Sequence, residues 1–199
     1  MNKYLNKYRI PSARLSNWDY GQSGLYFITI CTHKRIRFFG KIDNPIVETR
    51  CIASLPKIHL SEIGKIVEYE WLNTFELRRD MNLYMGEFVV MPDHFHAIIG
   101  IGENAYNTPN RRDAMRGCGG NGDAMHRVSA RDYKNQFGFQ SKNLASIIRG
   151  FKSAVKMGAR KIHPDFEWQS RFHDHIIRDD LALNNISKYI IENPLKWKD

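Results

Sequence analysis

The sequence predicts an α+β fold built on an antiparallel sheet. Aromatic and β-branched residues are concentrated in three stretches of strand character, Gly24–Thr32, Met81–Met91 and His94–Ile101. Other stretches between and after them repeat apolar residues at helical spacing. Strands and helices do not alternate regularly along the chain, which argues against a parallel sheet and favours α+β.

The first strand, GLYFITICT, runs into the basic segment HKRIRFFG, which we interpret as a turn leading into a short apolar stretch. His59–Phe75 has the apolar spacing of an amphipathic helix, with Ser61 as its expected N-cap. Pro92-Asp93 separates the second strand from the third. Two later helices are predicted over Ser141–Ile162 and Ala182–Asn193, and Pro194 ends the last one.

Residues 103–141 interrupt this pattern. Glycine, asparagine, aspartate and arginine dominate there, and no apolar periodicity survives. Segments of this composition and length do not bury a core of their own. We therefore expect a single domain over residues 1–199 that carries a flexible basic insertion at 103–141.

The composition points to a polyanionic partner. The formal net charge is +9 and the isoelectric point is about 9.5, a surplus typical of nucleic-acid-binding proteins, although a merely basic protein would also show it. The three cysteines are widely spaced, which argues against a disulfide framework or a cysteine-rich zinc site. Neither a bilayer-spanning run nor a signal peptide is recognisable, so a cytoplasmic location and no membrane partner are expected.

The stretch MPDHFHAIIG places two histidines one residue apart in an apolar strand. Residues i and i+2 of a strand share a face, so His94 and His96 point together and Phe95 points into the core. Paired imidazoles need partners when they are buried, and they suit two ligands of one metal ion. The alternative is an ordinary strand with two satisfied or exposed histidines.

The last predicted helix carries Tyr189 and Asn193 at positions i and i+4, and hence on one face. A tyrosine hydroxyl beside a metal ion can attack phosphorus, and an asparagine oxygen can serve as a further ligand. Tyr189 could instead pack on the sheet, and Asn193 could simply end the helix.

The motifs VVMPDHFHAII and YIIENPLK together resemble those of the single-tyrosine HUH transposases. The asparagine four residues after the tyrosine, followed by Pro194, looks closer to the REP-associated tyrosine transposases than to the classical insertion-sequence enzymes, which usually have glutamine there. The resemblance extends to YFITICTHKR, SIIRGFKS and WQSRFHDHIIRD, and so covers most of the chain. It implies a ferredoxin-like or RRM-like sheet with helices on one face and a C-terminal helix that carries the catalytic tyrosine. The insertion departs from the compact family pattern.

The resemblance also implies an activity, namely cleavage and transfer of single-stranded DNA through a 5′-phosphotyrosine. Tyr189 matches the nucleophile, and His94, His96 and Asn193 match the metal site, with Mg²⁺ or Mn²⁺ as cofactor. Single-stranded or hairpin DNA is the expected partner, and a homodimer is left open. Basic residues expected to grip DNA phosphates are Lys34, Arg35, Arg37, Arg111, Arg112, Arg149 and Lys152.

Two other functions are compatible with parts of the sequence. A catalytically silent nucleic-acid-binding module would explain the charge and the sheet, but not the combination of His94, His96 and Asn193 with Tyr189. A metal-dependent nuclease that uses water would explain the histidine pair but would make Tyr189 dispensable. His173 and His175 could assist the chemistry or contact DNA, although a structural role is the more ordinary one for such histidines.

Overall fold

The computed structural model describes residues 3–4, 7–8, 15, 18–43, 57–108 and 141–197. Within these ranges it contains three α-helices, α1 (Glu62–Glu76), α2 (Leu144–Ala159) and α3 (Asp180–Glu192). The strands are β1 (Lys3–Tyr4), β2 (Lys7–Tyr8), β3 (Gly24–Cys31), β4 (Gly40–Asp43), β5 (Lys57–Leu60), β6 (Leu83–Met91), β7 (His94–Ile101) and β8 (His173–Ile177).

Four strands form the central sheet in the order β6-β7-β3-β8, and every neighbouring pair is antiparallel. Pro92 and Asp93 form the tight connection between β6 and β7. The predicted antiparallel α+β architecture is confirmed. Strand β8 was not predicted, because HDHII begins with polar residues and occupies an edge of the sheet, where that half stays partly exposed.

The two faces of the sheet are covered by different helices. Helices α1 and α2 pack on the face that Phe95 points to, where Trp71 and Phe151 are fully or almost fully buried. Helix α3 covers the opposite face through a smaller apolar cluster. That cluster comprises Ile42, Val89, Met91, Ile98, Ile177 and Ile190. Alternation along β7 thus puts its histidines on the face covered by the C-terminal helix.

Each helix begins at a polar cap that satisfies free backbone donors. The Ser61 hydroxyl accepts from the Gly64 amide at 3.1 Å, which confirms the predicted cap of α1. His59 and Leu60, which precede the cap, belong to β5, which pairs with β4. Asn143 caps α2 in a reciprocal capping box, and Asp179 caps α3.

A close backbone approach holds the basic turn after β3 against α1. A Cβ atom at Gly64 would lie 2.1 Å from the carbonyl oxygen of Phe39, so only glycine fits there. The Ser61 hydroxyl also donates to the carbonyl of Phe38 at 2.6 Å. The segment leading from residue 33 to residue 39 is therefore fixed by the start of α1.

Residues 109–140, most of the expected insertion, lie outside the described residues, as do Arg111, Arg112 and the N-terminal residues 9–14. Among the residues that the structure does describe, no helix is long and apolar enough to cross a membrane.

Candidate active site

The paired histidines lie side by side at the start of β7. Their ring centroids are 4.5 Å apart, and the residues are only 8% and 5% exposed for His94 and His96. In the sheet register His96 lies opposite Thr29 of β3, and His94 lies opposite Cys31. The predicted alternation is confirmed, since the Phe95 side chain lies on the other face, against Trp71.

Each imidazole is oriented by a partner at its Nδ1 atom. His94 Nδ1 donates to the Asp93 carboxylate at 2.5 Å, because a carboxylate can only accept. His96 Nδ1 lies 2.8 Å from the Thr29 hydroxyl, and His96 Nε2 lies 3.3 Å from the Tyr189 hydroxyl. Because His94 donates from Nδ1, a neutral His94 carries a lone pair on Nε2, and the tautomer of His96 that donates from Nδ1 to Thr29 leaves its Nε2 with a lone pair as well.

Burial keeps both rings neutral. It lowers the pKa of His94 below the usual value of 6.5, although Asp93 acts in the opposite direction. It lowers the pKa of His96 to about 3, and electrostatic interactions with His94, Arg35 and His173 act in the same direction. Neutral imidazole is the form that binds metal ions.

Helix α3 brings Tyr189 to the same place. Its hydroxyl lies 3.3 Å from His96 Nε2, and the two ring centroids are 5.3 Å apart. Phe27 of β3 contacts both rings, edge-on to Tyr189 and stacked on His96. Ile190, the next residue, is buried in the apolar cluster under α3, and this fixes the direction in which Tyr189 projects. Tyr189 itself remains 39% exposed, so its hydroxyl is within reach of solvent and of a ligand.

Asn193 lies at the C-terminal end of α3, where a 3₁₀ turn with Pro194 begins. It is 9% exposed, and its side chain shares a hydrogen bond with His94. Its backbone is right-handed helical, with φ −56° and ψ −41°. The four residues predicted from the motifs are therefore brought together in space.

These residues line a cavity of about 550 Å³ between the sheet and α3. Its wall combines the predicted residues with several that the sequence did not single out. The lining residues are Phe27, Thr29, Arg35, His94, His96, His173, Tyr189, Asn193, Lys196 and Trp197. A cavity lined by a tyrosine, neutral imidazoles and cationic side chains can bind a phosphate group.

Arg35 reaches the cavity from the turn after β3. Lys34 and Arg35 both adopt left-handed backbone conformations, with φ 55° and 58°, which are unfavourable for residues other than glycine. The buried Thr32 hydroxyl holds this turn, since it lies 2.8 Å from the Ile36 carbonyl and 3.0 Å from that of Asp93. The Arg35 guanidinium lies 3.6 Å from the Asp93 carboxylate. The strained backbone of this turn is therefore found where the Arg35 cation lines the cavity.

The remaining basic residues fall into different surroundings. Arg37 is exposed and lies over the Trp197 ring at the cavity. Arg149 is exposed on α2, away from the lining residues. The Lys152 ammonium donates to the carbonyls of Gln169 and Arg171 at 2.7 and 3.3 Å, so this side chain is engaged within the fold.

Several site residues escaped the sequence analysis. Asp93 immediately precedes the histidine motif, and its position was a usable signal. Thr29 reaches the cavity only through the register of β3 with β7, which is not a local property. His173, which the sequence analysis did consider, is brought to the cavity by the pairing of β8 with β3. Trp197 follows Asn193 by four residues, the same step that separates Asn193 from Tyr189.

The donor set suits a divalent cation. His94 and His96 present oriented, neutral rings, and the Asn193 amide lies against the first of them. In the described part of the chain, no group of three histidine, cysteine, aspartate or glutamate side chains is placed to hold a metal ion. The third group in this set, the Asn193 side chain, is an amide.

Comparisons with known proteins agree with this picture. No family model matches the chain. An uncharacterised Haemophilus influenzae protein is 31% identical over 188 residues, 94% of this chain and 89% of that protein. Another protein of that organism, named "Putative REP-associated tyrosine transposase", is 25% identical over 184 residues, 92% of this chain and 77% of its own length.

A solved structure of a REP-associated tyrosine transposase bound to a REP hairpin has the same fold. It superposes with a TM-score of 0.52 at 16% identity, covering 94% of this chain and 74% of that one. In sequence and in fold the chain is therefore similar to the REP-associated tyrosine transposases, which are single-tyrosine enzymes. This relationship supports a transposase-like, enzymatic function on DNA.

Proposed function

We propose that the protein nicks single-stranded DNA and transfers the cut strand through a 5′-phosphotyrosine formed on Tyr189. The observation that carries the proposal is the 3.3 Å approach of the Tyr189 hydroxyl to His96 Nε2, inside a cavity lined by cationic side chains.

His94, His96 and Asn193 would hold a divalent cation, Mg²⁺ or Mn²⁺. When bound, such an ion neutralises charge on phosphate oxygens and makes phosphorus more electrophilic. The chain prepares for this by holding both rings neutral and by orienting them through Asp93 and Thr29. Arg35 and Lys196 line the same cavity and supply further positive charge for the phosphate.

In the chemical step the Tyr189 oxygen bonds to phosphorus and its proton passes to water, which reaches the partly exposed ring. The bond from phosphorus to the 3′ oxygen breaks, and that oxygen takes up a proton as it leaves. The attacking and leaving oxygens lie on opposite sides of phosphorus. Because the phosphodiester energy is retained in the phosphotyrosine, a second 3′ hydroxyl can reverse the step and join strands.

Single-stranded and hairpin DNA are the proposed substrates. A free strand can bend its backbone into the cavity, whereas a duplex must first unpair. The net charge of +9 supports binding of a polyanion. The related protein of known structure is bound to a REP hairpin, and we extend this kind of ligand to the present chain. Arg35 and Arg37 lie where the strand would enter, and Lys34, Arg149 and the two arginines outside the described residues, Arg111 and Arg112, are further proposed phosphate contacts.

The decisive experiment is to incubate the full chain with Mn²⁺ and a single-stranded hairpin taken from the DNA beside its own gene. A covalent protein–DNA band on a denaturing gel is expected, and it should be absent with Tyr189→Phe or with EDTA. Tyr84→Phe is a matched control, since Tyr84 is an exposed tyrosine on β6, outside the lining of the cavity.

Three outcomes separate the alternatives. Cleavage without a band, unchanged in Tyr189→Phe, would show a nuclease that uses water. Binding without cleavage in any divalent metal would show a silent nucleic-acid-binding module. A band that persists in Tyr189→Phe would place the nucleophile elsewhere.

A further inference from the structure

One aromatic side chain of the cavity has no role in the proposed chemistry. The Trp197 indole lines the cavity, and its centroid lies 6.1 Å from that of His94 with the planes 35° apart. Part of the ring packs on the apolar cluster beneath α3, and the residue is partly exposed. Its backbone N–H donates to the Pro194 carbonyl at 3.3 Å, so the turn that follows α3 fixes its place.

Tyr189, Asn193 and Trp197 are spaced four residues apart along the chain, and each lies beside one of the two histidines. Tyr189 contacts His96, Asn193 shares a hydrogen bond with His94, and Trp197 lies beyond Asn193 next to His94. The rings of Tyr189, His96, His94 and Trp197 therefore form a row in that order. Tyr189 is at one end of the metal-binding pair and Trp197 is at the other.

A cation extends the aromatic surface. The Arg37 guanidinium lies over the Trp197 ring, with its central carbon 5.4 Å from the ring centroid. Arg37 is exposed on the same turn that directs Arg35 into the cavity. An indole paired with a planar guanidinium is a surface on which nucleobases of single strands stack, since every base has a π face.

We propose that Trp197 and Arg37 form a binding site for one nucleobase, that of the nucleotide whose 3′ oxygen leaves. The assignment to this side rests on the proposed function. In an in-line displacement the leaving oxygen lies opposite the attacking one. Tyr189 approaches phosphorus from the His96 end of the row, so the leaving nucleotide extends toward the His94 end, where Trp197 lies. Stacking tolerates any base, so the site would position the strand rather than read its sequence.

The test combines an abasic scan of the DNA with substitution of Trp197. Equilibrium binding of the hairpin with single-stranded flanks is measured in the Tyr189→Phe background, with an abasic residue placed at each flank position in turn. Stacking of one base predicts a loss of about 5- to 100-fold at a single position. Trp197→Ala should weaken binding of intact DNA by a similar factor. In that variant an abasic residue at the sensitive position should cause no further loss of affinity. Trp197→Phe should keep most of the affinity.

The adduct formed by the tyrosine-containing protein maps the scissile phosphate, and the sensitive position should be the nucleotide immediately 5′ of it. Coupling at the 3′ neighbour instead would overturn the assignment to the leaving side. If the affinity losses caused by Trp197→Ala and by the abasic residue multiply at every position, the side chain does not interact with any single base, and the stacking site is wrong. Coupling at one position with no adduct under any condition would refute the proposed function yet leave a base-binding site. Mn²⁺ titration of Trp197→Ala, expected to match the parent, excludes collapse of the cavity as the cause.

Discussion

The Tyr189 hydroxyl lies 3.3 Å from His96 Nε2, although 93 residues separate the two along the chain. Strand pairing places His96 opposite Thr29 in the middle of the sheet, and burial of Ile190 seats α3 across the same face. The contact is therefore produced by the packing of the fold. It joins a motif that supplies neutral imidazoles to a motif that supplies a hydroxyl, and the predictions below test each part.

Removing a proposed metal ligand should weaken metal binding more than removing the group that orients it. His94→Ala deletes one imidazole, and we expect Mn²⁺ binding to become undetectable by calorimetry. Asp93→Asn keeps the ring but replaces its carboxylate partner, and a loss of about 10- to 100-fold is expected. His163→Ala changes an exposed histidine outside the cavity and should bind as the wild type does. Wild-type affinity in Asp93→Asn would show that the 2.5 Å contact to His94 has no orienting role.

Acid should destabilise the metal-free protein partly through His96. The folded-state pKa of about 3 lies below the ordinary 6.5, so the unfolded chain binds a proton at this residue that the folded chain excludes. Below pH 6.5 the free energy of unfolding should therefore fall as pH falls, by about 1.4 kcal/mol per pH unit from this group, until the folded pKa is reached. In urea titrations with EDTA at pH 7, 6 and 5, His96→Gln should show a shallower decline. Parallel declines in both proteins would contradict the burial effect.

The central hairpin could be predicted from the sequence because its pattern is local. Period-two alternation alone assigns Phe95 to the core and the two histidines to the other face, and the burial of all three agrees. The helix that carries Tyr189 can also be predicted locally, from its apolar spacing and from Pro194 at its end. The family resemblance then linked the two motifs, which no local pattern could do.

Other parts depend on non-local geometry. Thr29 becomes the partner of His96 only when β3 and β7 pair in one register, and a shift of one residue would place Thr29 on the opposite face. Lys152 looks like a phosphate contact in the sequence, yet its ammonium is engaged by two carbonyls that follow it by 17 and 19 residues. Partners at such separations are set by tertiary packing, not by spacing along a helix.

Arg35 and Lys152 should therefore respond differently to neutralisation. Arg35→Gln removes a cation from the cavity, so the slope of log affinity against log salt for a single-stranded hairpin should become shallower by about 0.7. Lys152→Met should leave the slope unchanged and lower the free energy of unfolding by about 0.5–1.5 kcal/mol, because two hydrogen bonds to exposed carbonyls are exchanged for bonds to water. Binding titrations across a salt series and urea unfolding measure the two effects. A slope change in Lys152→Met would show that Lys152 contacts DNA.

Asn193 should matter for the metal site rather than for the end of the helix. Its backbone is right-handed helical, so it does not adopt the left-handed conformation in which asparagine ends helices. Its buried side chain instead meets the His94 ring. Asn193→Gln keeps a carbonyl oxygen and should retain part of the Mn²⁺ affinity and of the cleavage, whereas Asn193→Leu should lose both with the melting temperature little changed. If Asn193 only ended the helix, both changes would lower the melting temperature and spare cleavage below it. A less stable but fully active Asn193→Leu protein would remove Asn193 from the site and leave the two histidines as the ligands that the chain itself provides.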